Sequence, residues 1–451
     1  MTSQTEKIYK IHNLDRTLHN ADFKRIEELW KQKTTQDLVS RANGAYLPWD
    51  EFRKKSWPGG DSGGLWHLIQ STRLFARRQT PVTDKDGGTY AFDPHRHVEF
   101  LHQIDLEFGG NMLGIADFGE AGRRQIIRRN LIEESIASSR LEGANTSRQA
   151  ARKMLTEGRK PRDKSERMIV NNHQAMRRIE EELKNQPLTH DLLMDLHRQV
   201  THEMLDDASL EGVLRETLDK RGNRLKIMPW DDSTVVYVAP DKDFVEEQLP
   251  RLIAFANDED KSGFIHPLFK ATILHFWIGL LHPFEDGNGR LARILFYWYM
   301  LRKGYWAFSY LSLSERILKS PKQYAMAFIY SEQDGLDLNY FIQYNVEKLV
   351  LARRNLQDYL TKAISENRQR NKLLLSGQSF NARQIQLLQY LSKDEDRFTS
   401  VAIYHHVNDM VGYVTAVADL KSLVEKGLLR KLKIGRNVNY LPTAKVKDLF
   451  G

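Results

Sequence analysis

The chain contains no cysteine. Disulfides, thiol nucleophiles and cysteine metal sites are thereby excluded, while the redox compartment stays open. No run of about 18 apolar residues occurs, so no membrane-spanning helix is expected. The opening MTSQTEKIYKIHNLDR lacks the apolar core of a secretory signal, and a cytoplasmic location is the expectation. There is no internal repeat and no low-complexity tract. Neither sign of charge dominates. A net charge of +8 over 451 residues permits contact with nucleic acid or ATP and demands neither. What is present, 41% hydrophobic and 28% charged residues, is the composition of a globular chain long enough for roughly three domains.

The densest chemistry lies in His282-Pro-Phe-Glu-Asp-Gly-Asn-Gly-Arg-Leu-Ala-Arg293. Apolar runs flank it, Ile273 to Leu281 before and Leu291 to Met300 after, as expected of two buried helices joined by a turn. Gly287 and Gly289 let the backbone bend and let a ligand approach closely. A helix starting near Gly289 presents unpaired amides and a positive dipole end, an anion site. Arg290 and Arg293 share one face of its first turn, where cations are unfavourable unless a polyanion is bound. Asp286 can hold Mg²⁺ together with phosphate oxygens. His282 can take a proton near neutral pH. The plain structural alternative is an Asx-rich helical turn with a satisfied histidine.

This stretch resembles the signature of the Fic family, His-x-Phe-x-Asp/Glu-Gly-Asn-Gly-Arg-x-x-Arg, at every specified position. Upstream, Ser138-x-x-x-Glu142-Gly143 resembles that family's inhibitory motif. Glu142 ends an expected helix over residues 119–143, where a carboxylate is electrostatically misplaced and calls for a cation. Gly143 suits the helix C-cap. The resemblance implies that Glu142 pairs with Arg293 and keeps ATP from seating its γ-phosphate, in the subclass with an N-terminal inhibitory helix.

The resemblance further implies a mainly α fold, a Fic-type helical bundle with a small β-hairpin flap. It implies transfer of AMP from ATP to a Ser, Thr or Tyr hydroxyl of a protein target or of the chain itself, with release of pyrophosphate. His282 would be the general base and Asp286 the Mg²⁺ ligand. Gly287, Asn288 and Gly289 would stabilise charge on the transferring phosphate. Arg290 and Arg293 would bind the β- and γ-phosphates, and Phe284 would pack. The flap would be a hairpin over Thr217 to Met228 with Arg221 to Arg224 at its tip, followed by an extended Val235-Val236-Tyr237. The Leu210 to Glu216 segment is similar to the family's Gly-x-x-Arg. Tyr324 stands where relatives carry paired tyrosines, one near the adenine. His266 and His275 read as structural, since a zinc site needs closer convergence.

Residues 1–92 read as a helical extension with helices over Ala21 to Leu38 and Leu65 to Arg78 and a loop over Thr83 to Thr89. The Fic domain spans 93–345 and a linker helix 346–377. Residues 378–451 resemble a winged helix-turn-helix, with Gly435-Arg436 at the wing tip and Arg430, Lys431, Lys433 and Arg436 as a phosphate footprint. Ala418 replaces a common arginine, so DNA contact and protein contact stay open for this domain. A homodimer is also open, and no membrane contact is expected. Competing readings are a de-AMPylase or dual-activity enzyme, a kinase-like phosphate transfer, and a DNA-binding regulator with an ATP-sensing Fic domain.

Overall fold

The computed structural model describes residues 8–11, 24, 27–57, 62–110, 115, 120–219, 221–228, 234–261, 263–375, 380–392, 398–407, 412–434 and 437–446. The chain is mainly helical and divides into two compact units, residues 1–356 and 357–451.

The first unit opens with α1 (Lys33–Ala45), a single turn Trp49–Phe52 and α2 (Ser62–Ala76), which share an aromatic core of Trp49, Phe52, Trp57 and Trp66. An antiparallel hairpin follows, β1 (Arg78–Thr83) with β2 (Thr89–Phe92). The purely helical expectation for residues 1–92 is corrected here. The Thr83 to Thr89 turn is a hairpin loop, closed by the Asp84 carboxylate on the amides of Asp86 and Gly88. The first part of the expected Ala21 to Leu38 helix lies mostly outside the described residues.

Next come α3 (Val98–Ile104), α4 (Glu120–Leu141), α5 (Arg148–Glu157), α6 (Lys164–Arg178) and α7 (His190–Thr201). The short strands β3 (Lys226–Ile227) and β4 (Tyr237–Val238) pair antiparallel. This corrects the expected hairpin over Thr217 to Met228. Residues 221–223 instead form a turn on the Asp219 carboxylate, and the strand partner comes from the later extended segment.

The unit is completed by α8 (Lys242–Ala256), α9 (Pro267–Leu281), α10 (Asn288–Arg302), α11 (Leu313–Leu318), α12 (Pro321–Gln333) and the first part of α13 (Asn339–Leu375), up to residue 356. Helices α9 and α10 are its centre, with nearly every side chain buried. Both are apolar all round, so neither face can tolerate water and both are enclosed. Pro267 at the first turn and the His266 Nδ1 accepting from the Leu268 amide start α9. Tyr299 and the buried Lys270 share Asp258 at the outer end of the pair.

Helix α4 lies against this centre and carries unusual buried polarity. Glu134 accepts from the Ser312 hydroxyl at 2.8 Å and from the Ser314 amide at 3.0 Å, and also from the Ser314 hydroxyl. Asn130 donates to the carbonyls of Ser309 and Leu311. Glu133 pairs with Arg148 and Arg152 of α5. Helix α4 is thus fixed along its length by charged and polar side chains.

The second unit contains α14 (Ala382–Ser392), α15 (Val401–Val407), α16 (Tyr413–Glu425) and the antiparallel pair β5 (Leu429–Ile434) and β6 (Asn437–Pro442). Its core gathers Ile385, Leu388, Tyr404, Leu420, Leu423 and Tyr440. Buried Asp419 accepts from Asn381, Arg383 and Tyr404 and acts as its polar brace. Gly435 and Arg436 of the expected wing tip lie outside the described residues.

Gly279 of α9 faces α12, and a Cβ there would lie 2.7 Å from the Phe328 ring, which is itself packed on Phe276 and Phe341. Gly279→Ala gains about 1 kcal/mol of helix propensity and loses about 1–3 kcal/mol to overpacking. A net destabilisation of about 1 kcal/mol is expected in urea unfolding, and a stabilised variant would contradict the packing described.

Candidate active site

The chain leaves α9 through His282, whose backbone is left-handed at φ 45°, ψ 57°. It enters α10 through Gly287, also left-handed at φ 84°. The bend lies deep, so its backbone groups need protein partners. Arg215 donates from Nε to the His282 carbonyl at 2.7 Å and from Nη2 to the carbonyls of Pro240 (2.7 Å) and Leu281 (3.4 Å). Its own amide donates to the Pro283 carbonyl at 3.0 Å. Asn288 closes the bend from the other side. Its Nδ2 donates to the Phe284 carbonyl at 2.7 Å and its Oδ1 accepts from the Phe284 amide at 3.0 Å.

His197 of α7 completes the support. Its ring stacks on Phe284, centroids 3.6 Å apart and 8° from parallel. The Gly212 amide donates to its Nδ1 at 2.9 Å, so the ring proton sits on Nε2 and is donated to the Asp286 carbonyl at 2.9 Å. Burial pushes the imidazole pKa down to about 4, which keeps it neutral in this role. A Cβ on Gly287 would meet Thr201 at 2.8 Å and His197 at 3.4 Å, so glycine is required there both for φ and for space.

His282 is half-buried. Its Nδ1 lies 3.3 Å from the Gly279 carbonyl, which can only accept, so Nδ1 carries the proton and Nε2 keeps its lone pair. Burial lowers its pKa to about 4, with the Gly279 contact opposing the shift.

Glu142 and Ser138 reach this site from the C-terminal end of α4. Arg293 donates from Nε to the Ser138 hydroxyl, and from Nη2 to the Ser138 carbonyl and the Glu142 carboxylate, each at 2.9 Å. Burial opposes the Arg293 cation, yet Glu142 beside it holds its pKa above the ordinary value. The same carboxylate rests on the first turn of α10. A Cβ on Gly289 would lie 2.2 Å from Glu142 Oε1. The anion-attracting helix start is therefore faced by a carboxylate of the chain itself. Gly143, left-handed at φ 93°, lets the chain turn away directly afterwards.

Two placements revise the sequence reading. Arg290 is fully buried, with Nη1 on the Val200 carbonyl at 2.6 Å and Nη2 on Asp286 at 3.2 Å. It braces the bend against α7 instead of standing open for a phosphate. The Asn288 carboxamide is consumed at both ends by Phe284, which leaves only its helix-start amide for an anion. Tyr324 places its hydroxyl 2.7 Å from His275 Nε2, within an aromatic cluster with Phe328, Phe341 and Tyr344. Val236 and Tyr237 sit in the small β3–β4 hairpin region, and the Tyr237 hydroxyl donates to the Leu280 carbonyl at 2.8 Å. His197 and Arg215 were not assigned roles from sequence. The signal available was weak, a Gly-x-x-Arg of four residues and a histidine on an amphipathic helix.

Among the described residues, no three His, Asp or Glu side chains converge as a metal cage. Asp286 is a single, half-exposed carboxylate with Oδ1 on the Gly287 amide at 2.5 Å.

A model of the Fic/DOC family matches residues 187–300, a span that includes α7, β3–β4 and the whole of the bend. Residues 187–300 are thus similar to the Fic/DOC family. Among curated proteins, the protein adenylyltransferase fic-1 of Caenorhabditis briggsae is 43% identical over 68 residues, 15% of this chain and 13% of the relative. The protein adenylyltransferase Fic of Culex quinquefasciatus is 28% identical over 193 residues, 41% of this chain and 35% of the relative. The matches thus span about an eighth to a third of these relatives' length. Among solved structures, a Fic family protein from Desulfovibrio desulfuricans is 17% identical, covering 78% of this chain and 98% of that one at a TM-score of 0.46. Fic-1 of C. elegans is 22% identical, covering 58% and 70% at a TM-score of 0.44.

His197→Ala leaves the Asp286 carbonyl and the Gly212 amide without their partner, at about 1–3 kcal/mol each. A loss of about 3 kcal/mol in urea unfolding is expected. A loss under 1 kcal/mol, on the order of a surface substitution, would show that the bend does not lean on this ring.

Proposed function

We propose that the protein transfers AMP from ATP to a Ser, Thr or Tyr hydroxyl of a protein, and that Glu142 restrains this activity. One observation carries the reading. A neutral imidazole with a free Nε2 stands at one side of a helix start whose anion site is faced by an internal carboxylate on Arg293. The names of the curated relatives support AMP as the group and protein as the acceptor.

In this mechanism ATP lays its phosphates on the first turn of α10. The amides of Asn288, Gly289 and Arg290 have no acceptor within the helix and stabilise charge on the α-phosphate. Arg293, released from Glu142, binds the terminal phosphates. Asp286 fits the part of a single protein ligand for Mg²⁺ arriving with the nucleotide, where the ion would neutralise phosphate charge. The acceptor hydroxyl gives its proton to His282 Nε2 as its oxygen bonds to the α-phosphorus. The bond from that phosphorus to the bridging oxygen breaks, and pyrophosphate leaves with the electron pair. Arg215, His197 and Asn288 hold the bend so that base and amides keep their spacing. Glu142 acts by occupying Arg293 and by placing negative charge where phosphate must lie.

In the second unit, the exposed basic residues Arg430, Lys431 and Lys433 support contact with an acidic partner. The exposed Tyr413, Val414 and Ala418 on α16 favour a protein surface over direct base reading.

Glu142→Gly should label protein from ATP carrying the label at the α position and leave it unlabelled from the γ position. Adding His282→Ala should lower that labelling about 10²–10⁴-fold. Label from γ alone would replace AMP transfer with phosphate transfer, and equal labelling with and without Glu142 would remove the restraint.

The pH dependence follows from the lowered His282 pKa of about 4. The active form is the neutral ring, present above the folded pKa and lost as pH falls through it. Labelling by Glu142→Gly should therefore change less than about two-fold between pH 5.5 and 7 from this group, and fall near pH 4. An acid limb centred at about 6.5, the unperturbed histidine value, would mean that the catalytic imidazole is not the buried one.

A further inference from the structure

Arg293 has partners on two sides. Its bonds to the Ser138 hydroxyl, the Ser138 carbonyl and the Glu142 carboxylate all end on α4 or directly after it. On the other side stands Tyr324 of α12, whose hydroxyl accepts from the same guanidinium. Burial pushes the Tyr324 phenol well above its ordinary pKa, and Arg293 opposes that rise by its charge and by this hydrogen bond. Ser138 belongs to the element that carries the restraint. Tyr324 is the partner that owes nothing to α4.

The proton count along this side is fixed. An arginine can only donate, so the Tyr324 oxygen accepts from it and the phenolic proton goes elsewhere. His275 Nε2 lies 2.7 Å from that oxygen and receives it. Nε2 is then the bare nitrogen, and the ring proton sits on Nδ1. That nitrogen is buried with no partner among the described residues. Burial, with Arg293 adding to it, pushes the His275 pKa down to about 3, so the ring is neutral and able to accept. Aromatic rings of Phe296, Phe328 and Phe341 surround it. A ring N–H without an acceptor in such a place is unfavourable, and a leucine at 275 would carry none. What the histidine gains lies on Nε2.

We propose that His275 and Tyr324 are positioning residues for the terminal phosphates of the nucleotide: His275 Nε2 takes the phenolic proton, which turns the Tyr324 oxygen toward Arg293 and keeps the guanidinium aimed once Glu142 has left it. The two residues act through Arg293 and touch no reacting atom. The proposal rests on the reading of Arg293 as a phosphate ligand. It places the work of Tyr324 at the phosphate end of the nucleotide, whereas the sequence expectation was a contact with the adenine. The two roles differ in a measurable way, because AMP carries the adenine and lacks the phosphates that Arg293 would hold.

The test measures binding of ATP and of AMP, each with Mg²⁺, to the full chain carrying Glu142→Gly and His282→Ala, so that no transfer consumes the ATP. Adding Tyr324→Phe should weaken ATP at least about ten-fold, as expected for a lost hydrogen bond to a charged group, and change AMP less than about two-fold. Adding His275→Leu instead should do the same. His275→Gln, whose carboxamide oxygen can accept the phenolic proton, should keep ATP binding within about three-fold of the parent. Equal weakening of ATP and AMP, as an adenine contact or a merely structural role would give, overturns the proposal, and so does ATP binding that ignores both positions. If Tyr324→Phe fails to fold, the contrast between leucine and glutamine at 275 decides, and equal ATP binding by those two overturns the proposal. Binding that responds as stated, with no label from α-labelled ATP in Glu142→Gly, would sink the transfer reading and leave the positioning role standing. A parent that binds no ATP would remove both.

Discussion

The bend between α9 and α10 sets the terms for the rest of the first unit. Two helices that are apolar all round must be buried, and the chain that joins them is buried with them. Peptide groups there cannot turn to water. Arg215 covers the carbonyls of Leu281 and His282, His197 covers that of Asp286, and Asn288 covers both groups of Phe284. Each of these side chains comes from a different part of the unit or from the bend itself. The requirement to satisfy backbone in a dry place thus produces a rigid loop, and a rigid loop is what a positioned imidazole and a phosphate-ready helix start need.

Electrostatics then divides the polar residues of the bend by neighbour and not by spacing. Arg290 and Arg293 share a helical turn, yet one is drawn to the end of α7 and Asp286 while the other is drawn to the end of α4. A fully buried guanidinium must be paired wherever partners are within reach. For Arg290 the partners are permanent parts of the fold. For Arg293 one partner is a carboxylate on a partly exposed side chain, which a stronger anion can displace.

Much of this arrangement was legible in the sequence, because the signature compresses histidine, turn glycines and helix start into one continuous stretch. Glu142 was legible for a related reason: a carboxylate in the last turn of a helix is out of place unless a cation answers it, and Arg293 does. The supports were not legible. His197 and Arg215 act on backbone atoms far along the chain, and nothing in a local pattern reports a carbonyl that needs a donor. The β1–β2 hairpin was missed because its strands are short and flank an Asp-Gly-Gly turn that reads equally as a loop. The β3–β4 pairing was misplaced because Asp219 makes its own local turn, and the true partner strand lies beyond an intervening segment.

Gly289 ties two properties of the chain together. The carboxylate of Glu142 lies where any larger residue's first side-chain atom would stand, so on the transfer reading proposed above the same empty volume would serve a nucleotide and its internal rival. On the transfer reading proposed above, a change to alanine here would disturb restraint and activity in one step, whereas loss of the glutamate alone would remove the restraint and leave the rest of the site in place.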